Sequence, residues 1–577
     1  MENHEIASVF EEIASLMRIV QDDPKWQFKA VAYERAKRSI ESYPERLEDM
    51  ARDSNRKLTE VPGVGEDLAN KIHELLETGQ CQYLRDQLKK IPGTLLDLLQ
   101  LQSVGPQKVR LFYRELSIRT IEELEAAAKA GRLRELPGMN EKSEQNILKA
   151  IEALHRVTGR FRLDTVSELA EELDAHLRRF RGVERVTPAG SLRRGRDTVG
   201  DLDLLVTGRN LGGLADHFLK FPRIGQVLVR GEDKASVKLT NGLQVDVRML
   251  APESYGAALQ YFTGSKEHNV ALRDRAKRRG WKLSEYGLFE GEKVLASQTE
   301  EEIYAKLGLA WIPPELRENL GEVEAAEKGE LPKLVELSDI RGDLQMHTTA
   351  SDGHNSVEEM AAAAKQLGYR YILITDHSKA VTIANGLDEQ RVLEHVKHIR
   401  AAGKKVKGIE IWAGTEVDIL GDGTLDYTDE VLSQFDIVLA SIHSRMTQPF
   451  EEMTARILKA LENPYVRILG HPTGRYILRR EPFNFDIEKV FQAAQSLGVI
   501  LELNANPERL DLCDRHAKLA HDKGMKVIIS TDAHRPEHFK LMRYGVVTAR
   551  RGWTEKRDVL NTYPPEKLLS LLRKLPA

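Results

Sequence analysis

Three aspartates in two alternating apolar segments form the first set of residues that could do chemistry. Asp201 and Asp203 alternate with leucines in GDLDLL, so both carboxylates would project from one face of a strand. Asp246 lies in a similar segment, QVDVR, and could complete a triad. Such close carboxylates repel one another unless a cation lies between them, and hard oxygen ligands suit Mg²⁺ or Mn²⁺. Two metal ions held there could deprotonate a sugar hydroxyl and stabilise a leaving pyrophosphate.

A solvated strand edge is the ordinary explanation for an isolated pair of alternating acids. Here the segment GSLRRG, residues 190–195, precedes the pair. This segment contains a glycine–serine turn and two adjacent arginines. The combination therefore favours the metal site over the solvated edge.

A second set of potential ligands lies at the ends of apolar segments in the C-terminal half of the chain. The set comprises His347, Asp352, His377, Glu416, His443, His471, Asp532 and His534. Alternating strand and helix segments predict a parallel sheet closed as a barrel, whose strand C-termini would bring these side chains to one mouth. A single histidine at a strand end is usually structural, but so many corresponding positions favour a metal centre. Imidazole with carboxylate suits Zn²⁺, Mn²⁺ or Fe²⁺, and the natural reaction is hydrolysis of a phosphoester.

Length and composition place both sets in a multidomain globular chain. With 577 residues, at about 150 residues per domain, we expect about four domains. The apolar fraction of 41% and the charged fraction of 30% exclude a disordered or fibrous chain. No apolar run reaches the ~18 residues that span a bilayer, and the start MENHEI lacks the features of a signal peptide. Cys81 and Cys513 lie far apart, so we expect a reducing compartment: a cytoplasmic, nucleoid-associated protein without membrane contact.

Three similar segments between residues 55 and 152 each predict helix, glycine-centred turn, helix. The turns contain Gly63 and Gly65 in the first copy, Gly105 in the second and Gly138 in the third. Glycine permits the tight turn and leaves free N–H groups at the start of the second helix, where they can hold a phosphate. The net charge of -4 requires nucleic-acid binding to come from such local features. An ordinary helical hairpin is the alternative for any single copy.

The segments GSLRRG, GDLDLL and YFTGS resemble the family X DNA polymerases, of the DNA polymerase beta kind, over about residues 1–315. The resemblance implies that Asp201, Asp203 and Asp246 bind the metal ions and that Asp246 activates the primer hydroxyl. It also implies a nucleotide site with parts at the triphosphate, the sugar and the minor-groove side of the base pair. Those parts are, in turn, Ser191, Arg194 and Gly200; Tyr261, Phe262 and Gly264; and Asn269 and Arg273.

The segment VPGVGEDLANKIHELLETG resembles the lyase domain of the same family. Lys71 matches the lysine that forms a Schiff base with the sugar left after base loss. Two positions depart from the pattern, because Asp67 replaces a phosphate-binding lysine and Phe28 stands where a histidine is expected, although Lys29 and Tyr33 are retained. Fewer cations weaken the attraction for a 5'-phosphate. Lyase chemistry and a solvated helix lysine therefore remain alternatives.

The C-terminal ligands resemble the PHP family, named for polymerase and histidinol phosphatase, across about residues 338–572. The resemblance implies a three-metal centre with Glu416 as the bridging carboxylate. One position departs, because Gln345 stands where the family has the first histidine of His-x-His, and a neutral amide is a weaker ligand. Arg445 and Arg475 lie near two ligands and are either phosphate ligands or exposed loop residues.

The domain prediction combines these features. We expect a lyase-like helical domain at 1–80, a duplex-binding helical domain at 81–155, an α+β nucleotidyltransferase palm at 156–250, a thumb-like nucleotide-selection domain at 251–315, a linker at 316–337 and an α/β PHP domain, a distorted (β/α) barrel, at 338–572. The linker is predicted from a Pro-Pro pair and an acidic stretch with little core of its own. Segments predicted as barrel strands run from RGDLQMH to YGVVTA, residues 544–549.

The predicted function is template-directed filling of short gaps during base-excision repair by a monomer that binds gapped or nicked duplex DNA and a dNTP. The PHP domain would act with its own Zn²⁺ or Mn²⁺, or with Fe²⁺, as a 3'-5' exonuclease, an abasic endonuclease or another 3'-end processing enzyme. A template-independent nucleotidyltransferase is the rival enzyme, because the GS and Asp-x-Asp arrangement serves many acceptors. A DNA-end scaffold with a degenerate PHP domain is the non-enzymatic alternative, with Gln345 as its sign.

Overall fold

The structure, a computed structural model, describes residues 3–20, 24–41, 43, 46–52, 56–88, 92–101, 104–157 and 159–573. The chain divides into two compact units, Met1–Thr158 and Gly159–Ala577. They are called here the N-terminal unit and the C-terminal unit.

The N-terminal unit is helical. Its helices are α1 (Asn3–Val20), α2 (Pro24–Glu41), α3 (Leu47–Arg52), α4 (Glu66–Thr78), α5 (Gln82–Leu88), α6 (Pro106–Leu116), α7 (Ile121–Lys129) and α8 (Glu141–Val157). Two apolar clusters form its core, one containing Phe10 and Ile72 and the other containing Leu98 and Phe112. Helix α1 contributes side chains to both clusters and so holds the two halves of the unit together.

The three predicted hairpins keep their second helix, but their first half is not a regular α-helix. Helices α4, α6 and α8 are the second members. The segments before α4 and α6 are short 3-10 turns, Leu58–Glu60 and Asp97–Gln100, and residues 133–138 before α8 form only turns and bends. In the first and third copies the cause is Pro62 or Pro137, because the residue before a proline is pushed out of the helical region.

The C-terminal unit begins with a mixed sheet, as predicted for the palm. Its strands are β1 (Phe161–Arg162), β2 (Val183–Pro188), β3 (Thr198–Val199), β4 (Asp201–Gly208), β5 (Ile224–Arg230), β6 (Lys234–Leu239) and β7 (Gln244–Leu250), and its helices are α9 (Leu163–Leu177), α10 (Gly190–Arg193), α11 (Leu214–Phe218) and α12 (Tyr255–Thr263). The main sheet has the order β2-β4-β7-β6-β5. Strands β4 and β7 are its parallel pair. Leu202 and Leu204 are buried in the core, which leaves the alternating acids of β4 on the opposite face.

The next region, predicted as the thumb, packs a small sheet against helices. Its elements are α13 (Lys266–Lys277), β8 (Lys282–Ser284), β9 (Gly287–Glu290), β10 (Lys293–Ala296), α14 (Glu300–Lys306) and α15 (Glu322–Lys328). Helix α15 lies in the segment 316–337, for which the sequence predicted little core. Val323 and Ala326 nevertheless join the apolar cluster of this region, and Glu322 is fully buried against His268. The segment is therefore packed, because its acidic stretch alternates with small and apolar residues that face the thumb.

The C-terminal barrel, residues 338–572, has seven parallel strands in sequence order. They are β11 (Gly342–Asp343), β12 (Tyr371–Ile374), β13 (Glu410–Asp418), β14 (Ile437–Ser441), β15 (Val466–Leu469), β16 (Ile500–Asn504) and β17 (Val527–Ser530). The helices are α16 (Val357–Gln366), α17 (Glu389–Lys405), α18 (Asp429–Leu432), α19 (Phe450–Leu461), α20 (Ile487–Leu497), α21 (Asp514–Asp522), α22 (Met542–Arg551) and α23 (Pro565–Arg573). A parallel bridge between Met346 and Ala533 brings the first and last strands together, so the sheet is nearly closed. The predicted barrel is confirmed.

One predicted strand of the barrel is wrong. The segment YGVVTA forms the middle of α22. Its two adjacent valines favour a strand locally, but Met542, Val546 and Ala549 recur at helical spacing and pack into the barrel core. Tertiary packing of this apolar face therefore overrides the local preference.

Two further predictions concern membranes and cysteines. Within the described residues, no helix is long and apolar enough to cross a membrane. Cys81 and Cys513 are both buried free thiols, as their separation in sequence suggested.

Candidate active sites

The three aspartates lie on the parallel pair of strands in the main sheet. Asp203 of β4 is directly opposite Asp246 of β7, and Asp201 precedes them at the exposed start of β4. The alternation predicted from the sequence thus brings them to one face. Close approach of the turn before β4 requires glycine at position 190, where a Cβ would lie 3.0 Å from Asp203 Oδ2 at a φ of +58°.

Two basic side chains that the sequence analysis missed neutralise these carboxylates. Lys234 Nζ lies 2.8 Å from Asp246 Oδ2, and Arg248 lies 3.7 Å from the same oxygen and 3.9 Å from Asp203 Oδ1. Burial opposes ionisation of Asp246, but the contacts with Lys234 and Gln244 hold its pKa below the ordinary value. Both cations come from strands adjacent in the sheet, β6 and β7, which sequence spacing alone does not reveal.

The electrostatics of Asp203 fit a site for a divalent cation. Burial and the negative charge of Asp201 raise the pKa of Asp203 to about 6. A carboxylate crowded by like charge is stabilised by any cation that binds between the acids. Within the described residues, the three aspartates do not form one of the groups whose ligand atoms all lie within 4.8 Å of one another. The observation that fits a divalent cation is therefore the like-charge crowding of Asp203 by Asp201 and Asp246.

One cavity of about 710 Å³ borders Asp201 and Asp203 and is lined by the predicted nucleotide-binding residues. Its lining includes Gly190, Ser191, Arg194, Gly200, Asp201, Asp203, Tyr261, Phe262, Gly264, Asn269 and Arg273. Arg160, Thr263 and Glu318 line it as well and were not singled out from the sequence. The structure thus brings the whole predicted nucleotide set together, although its members come from three helices, α10, α12 and α13, and from loops.

Hydrogen bonds fix the side chains on the far wall of this cavity. Asn269 donates to the Tyr261 carbonyl at 2.7 Å and accepts from Gln260 at 2.7 Å. Arg273 donates to the Asn269 carbonyl at 3.3 Å. Because the Asn269 amide is held from both ends, the group predicted to face the minor-groove edge of the nascent base pair has a defined orientation.

Glu416 is the centre of the second cluster, at the mouth of the C-terminal barrel. Its Oε2 lies 3.4 Å from His347 Nε2 and 3.3 Å from His377 Nδ1. Its Oε1 lies 3.3 Å from His443 Nε2 and 2.9 Å from His471 Nε2. Burial opposes ionisation of Glu416, but the imidazoles of His377, His443 and His471 hold its pKa well below the ordinary value. One carboxylate therefore contacts ligands from both sides of the mouth, the position expected of a bridging group.

Two aspartates connect the remaining ligands. Asp352 lies 3.6 Å from His377 and 3.4 Å from His534, and Asp532 lies 3.1 Å from His347. Three overlapping groups of ligand atoms result, each with all its atoms within 4.8 Å of one another. They are His347, Asp352, His377 and His534; His377, Glu416 and His443; and His347, Glu416 and Asp532. All eight residues predicted from strand ends therefore gather at one mouth.

The buried imidazole nitrogens of this cluster are suited to metal binding. Within the described residues, His347 Nδ1, His377 Nδ1 and His471 Nδ1 are buried nitrogens without a hydrogen-bond partner. Burial alone would lower the pKa of His347, but its bond to Asp532 and the charges of Asp352 and Glu416 raise it to about 10. Burial lowers the pKa of His377 to about 4. Unpartnered imidazole nitrogens among buried carboxylates are what a bound metal ion would satisfy.

Outer residues orient these ligands and were not predicted from the sequence. Asp418 Oδ1 lies 3.1 Å from His443 Nδ1 and leaves the other ring nitrogen facing Glu416. Asp376, next to His377 in sequence, is held by His395 at 2.7 Å and by Ser351 at 2.6 Å. Such carboxylate partners commonly fix the ring orientation of metal-binding histidines.

Gln345 lies inside this cluster although it departs from the family pattern. It is fully buried, and its Nε2 is a buried nitrogen without a hydrogen-bond partner among the described residues. Asn504 at the end of β16 lies 3.4 Å from Gln345 Oε1 and 3.3 Å from Asp532 Oδ2. The sixth barrel strand, β16, thus ends in an amide, whereas the neighbouring strands β15 and β17 are followed by His471 and Asp532.

The two arginines predicted near a substrate phosphate differ in their contacts. Arg445 is exposed on the loop after β14. Arg475 donates to the carbonyls of Arg509 and Leu510 and lies 3.0 Å from Asp197 of the main sheet region, so its guanidinium connects the barrel with the palm. Arg509 instead is buried 3.9 Å from Asp532, which makes it the arginine next to the ligand cluster.

Lys71 of α4 is ion-paired in the N-terminal unit. Its Nζ lies 2.7 Å from Asp67 Oδ1 one helical turn earlier. The Lys71 side chain is 13% exposed, whereas that of Asp67 is 82% exposed. Phe28 is exposed and Tyr33 is buried against Tyr83. The acid that replaces the family's lysine therefore pairs directly with the predicted nucleophile.

The glycines predicted to contact DNA lie in the turns before the second helices of the hairpins. Gly65 and Gly105 immediately precede α4 and α6, and both have extended backbones. Gly63 and Gly138 have φ values of +82° and +75°, a conformation that favours glycine. Their contact with DNA stays a prediction.

Family models match most of the chain. A helix-hairpin-helix domain matches residues 1–81, and a SAM-like helix-hairpin-helix tandem matches residues 95–153. The thumb of DNA polymerase beta matches residues 258–318, and the PHP domain matches residues 343–506.

Relatives of known name fall into two groups. The "DNA polymerase/3'-5' exonuclease PolX" of Bacillus subtilis (strain 168) is 38% identical over 578 residues, and the alignment spans 100% of both chains. A "Probable phosphatase" of Acetivibrio thermocellus is 33% identical over 202 residues, 33% of this chain and 78% of that protein. A "Probable phosphatase" of Thermoanaerobacter sp. (strain X514) is 33% identical over 204 residues with the same coverage. The first group covers both candidate sites and the second covers about a third of the chain.

Proposed function

The chain belongs to the family X DNA polymerases that carry a PHP domain, and on this premise we propose that it fills short gaps in duplex DNA during base-excision repair. It would extend a 3'-OH under the direction of a template and would shorten or clean 3' ends at a second, separate centre. The proposal assigns the palm to residues 156–250, the thumb to 251–315 and the PHP domain to 338–572. It further assigns a single chain as the working unit.

The first centre supports nucleotidyl transfer. Asp201, Asp203 and Asp246 would hold two Mg²⁺ or Mn²⁺ ions, which acidify the attacking hydroxyl and neutralise charge on a leaving pyrophosphate. Ser191 and Arg194 would bind the triphosphate in the cavity that they line. Asp246 would orient and activate the primer hydroxyl. Lys234 Nζ, 2.8 Å from Asp246 Oδ2, would compete with a metal ion for this carboxylate.

The second centre supports phosphoester hydrolysis. Its eight ligands would hold Zn²⁺ or Mn²⁺, with Fe²⁺ as a further candidate, and such ions activate a water and stabilise charge on a phosphate. Glu416 would bridge them, since its two oxygens contact four histidines. Arg509 would contribute a fixed positive charge beside Asp532. A 3'-5' exonuclease is the favoured activity, with abasic endonuclease and 3'-phosphatase as the other reactions that this centre suits.

The observation that carries the proposal is that two distinct acidic clusters lie on different sheets of the same chain. Asp203 and Asp246 face each other on the five-stranded sheet, whereas Glu416 and its histidines lie at the mouth of the barrel. Substitution of one cluster should therefore leave the other reaction largely intact.

A gapped duplex incubated with Mn²⁺, with and without dNTPs, tests this assignment because both lengthened and shortened products can be resolved. Asp246→Ala should abolish extension and leave shortening, and His377→Ala should do the reverse. Loss of both reactions in each variant would contradict two independent centres. Primer extension without a template would favour a template-independent transferase, and the absence of both end trimming and bound transition metal would favour a DNA-end scaffold.

Lyase activity at Lys71 is a second candidate, and one observation bears on it. The ion pair with Asp67 occupies the amine that would attack the sugar. We therefore expect borohydride trapping on an abasic substrate to be weak in the natural chain. Strong trapping that disappears in Lys71→Ala would instead establish the activity.

A further inference from the structure

Helix α22 of the PHP domain packs against the end of the GSLRRG segment of the palm. Gly195 is the point of closest approach, because a Cβ there would lie 2.1 Å from Val547 Cγ1, and its φ is +66°. Around this point Leu163 of the palm shares an apolar cluster with Ile477, Leu510 and Tyr544 of the barrel. The loop that carries the predicted triphosphate ligand therefore rests on the nuclease domain.

Arg551, the last residue of α22, extends from this helix to the nucleotide cavity. Its Nη1 donates to the Arg194 carbonyl at 2.7 Å and to Glu318 Oε1 at 3.1 Å. Its Nε and Nη2 donate to Asp514 of the same domain at 3.1 and 2.6 Å. The side chain is only 3% exposed, so the guanidinium is held between the two domains in one orientation.

Glu318 accepts hydrogen bonds from two arginines, and a third, the more exposed Arg196, lies 3.9 Å from its Oε1. Arg194 Nε donates to the same oxygen, Oε1, at 3.0 Å, and Arg194 Nη1 donates to the Thr263 carbonyl at 2.6 Å. Arg194 and Glu318 both line the predicted nucleotide cavity. Glu318 is therefore paired both with Arg194, a predicted triphosphate ligand, and with Arg551 of the PHP domain.

This sharing matters when a nucleotide enters. A triphosphate that binds Arg194 draws the positive charge of that residue away from Glu318. Without Arg551, the distant and partly exposed Arg196 would be the remaining cation near Glu318. A poorly compensated negative charge beside a polyanion in a half-buried site disfavours binding. Arg551 stays beside Glu318 because Asp514 and the Arg194 carbonyl hold it there.

We propose that Arg551 of the PHP domain is a positioning residue of the polymerase site, which keeps Glu318 neutralised and the loop of Arg194 in place for nucleotide binding. This inference rests on the proposed nucleotidyl-transfer function. It makes the PHP domain a structural partner of nucleotide binding, separate from its own reaction.

Steady-state extension of a gapped duplex, with dNTP concentration varied, tests the proposal. Arg551→Ala should raise the KM for dNTP about tenfold or more, with a smaller change in kcat, because an uncompensated carboxylate opposes the anion. Arg551→Lys, which keeps the charge, should recover most of the loss. In a Glu318→Gln background the same Arg551→Ala change should have little further effect, since the charge to be neutralised is gone.

Two controls separate this role from domain packing. Arg550→Ala removes the neighbouring cross-domain ion pair, in which Arg550 lies 2.7 Å from Glu315 outside the cavity, and should leave the KM for dNTP unchanged. The exonuclease rate of Arg551→Ala should equal that of the natural chain. If the alanine variant loses its helical content, Arg551→Gln, which preserves most of the volume, replaces it in the same cycle.

An unchanged KM for dNTP in Arg551→Ala or Arg551→Gln, with extension by the natural chain intact, would overturn the inference and leave the proposed function standing. An equal rise in KM in the Glu318→Gln background would also overturn it. Failure of the natural chain to extend any primer would instead refute the proposed function itself.

Discussion

The Asn504 amide lies 3.4 Å from Gln345 Oε1, although 159 positions separate the two residues in the chain. The same amide lies 3.3 Å from Asp532, which contacts His347 at the mouth of the barrel. Gln345, the residue that departs from the PHP pattern, thus pairs with a second neutral amide, that of Asn504, next to the carboxylate cluster. The departure changes the charge and the ligand strength of one part of the site and leaves the rest in place.

The first prediction concerns this position. Gln345→His should increase the amount of transition metal retained per chain, because an imidazole is a stronger ligand than a neutral amide and the Asn504 amide beside Gln345 also contacts Asp532. Metal content after dialysis against a weak chelator, measured by mass spectrometry, checks this. Gln345→Ala is the matched control and should retain no more metal than the natural chain. Equal retention by all three proteins would show that position 345 does not face a metal.

A second prediction follows from the pKa of Asp203, which burial and Asp201 raise to about 6. Below pH 6 this carboxyl is protonated in the metal-free protein, so metal binding must release a proton. The apparent affinity of the polymerase site for Mn²⁺ should therefore fall by up to about tenfold per pH unit below 6 and should be flat for this group above it.

Electron paramagnetic resonance of free Mn²⁺ at pH 5, 6 and 7 measures that affinity. The binding of an Asp201→Asn/Asp203→Asn variant is subtracted, so that ions in the PHP domain do not contribute. If the difference between the two proteins is the same at pH 5 and at pH 7, the raised pKa of Asp203 does not govern metal binding.

A third prediction concerns the buried ion pairs of Glu300 in the thumb. Glu300 is 4% exposed and binds Arg193 at 2.8 Å and the fully buried Arg317 at 2.6 Å. Glu300→Ala leaves Arg317 without its carboxylate and should lower the free energy of unfolding by about 3–5 kcal/mol. Glu301→Ala, an exposed acid on the same helix, is the matched control and should change it by less than about 0.5 kcal/mol.

The same ion pairs give a pH dependence. Burial opposes ionisation of Glu300, but Arg193 and Arg317 hold its folded pKa at about 2, below the ordinary value of 4.5. This contribution to stability is complete above pH 4.5 and is lost as the pH falls toward 2. Urea unfolding at pH 7 and at pH 3 should show a smaller difference between the natural chain and Glu300→Ala at the lower pH. A difference that grows on acidification would contradict this.

The positions of site residues could be predicted from the sequence where they depend on the local pattern of one strand. The eight PHP ligands follow from local patterns, because each lies in or just after an apolar strand and parallel strands share one mouth. Asp203 and Asp246 follow from alternation on two strands that pair in register. Wherever a residue's place in a cluster was set by its own strand, the sequence was sufficient to predict that place.

Contacts between distant segments could not be predicted in this way. Lys234 beside Asp246, Asn504 beside Gln345 and Arg551 beside Glu318 each require knowledge of which surfaces pack together. Helix α22 shows the same limit for secondary structure. Its adjacent valines favour a strand, and only the barrel on one side and the palm loop at Gly195 on the other explain why it is a helix.

The last prediction concerns Asp67 and Lys71, which lie one turn apart on α4 and form an ion pair of 2.7 Å. Asp67→Lys should increase borohydride trapping of the protein on a 5'-phosphorylated abasic end by about tenfold, because it frees the Lys71 amine and adds a cation for the phosphate. Asp67→Ala frees the amine without adding a cation and should give an intermediate gain. Trapping in Asp67→Lys should vanish when Lys71→Ala is added, since the covalent bond forms at that nitrogen. If trapping persists without Lys71, or does not rise in Asp67→Lys, then the ion pair is not what limits lyase chemistry in this helix, and Lys71 is a surface-paired structural residue.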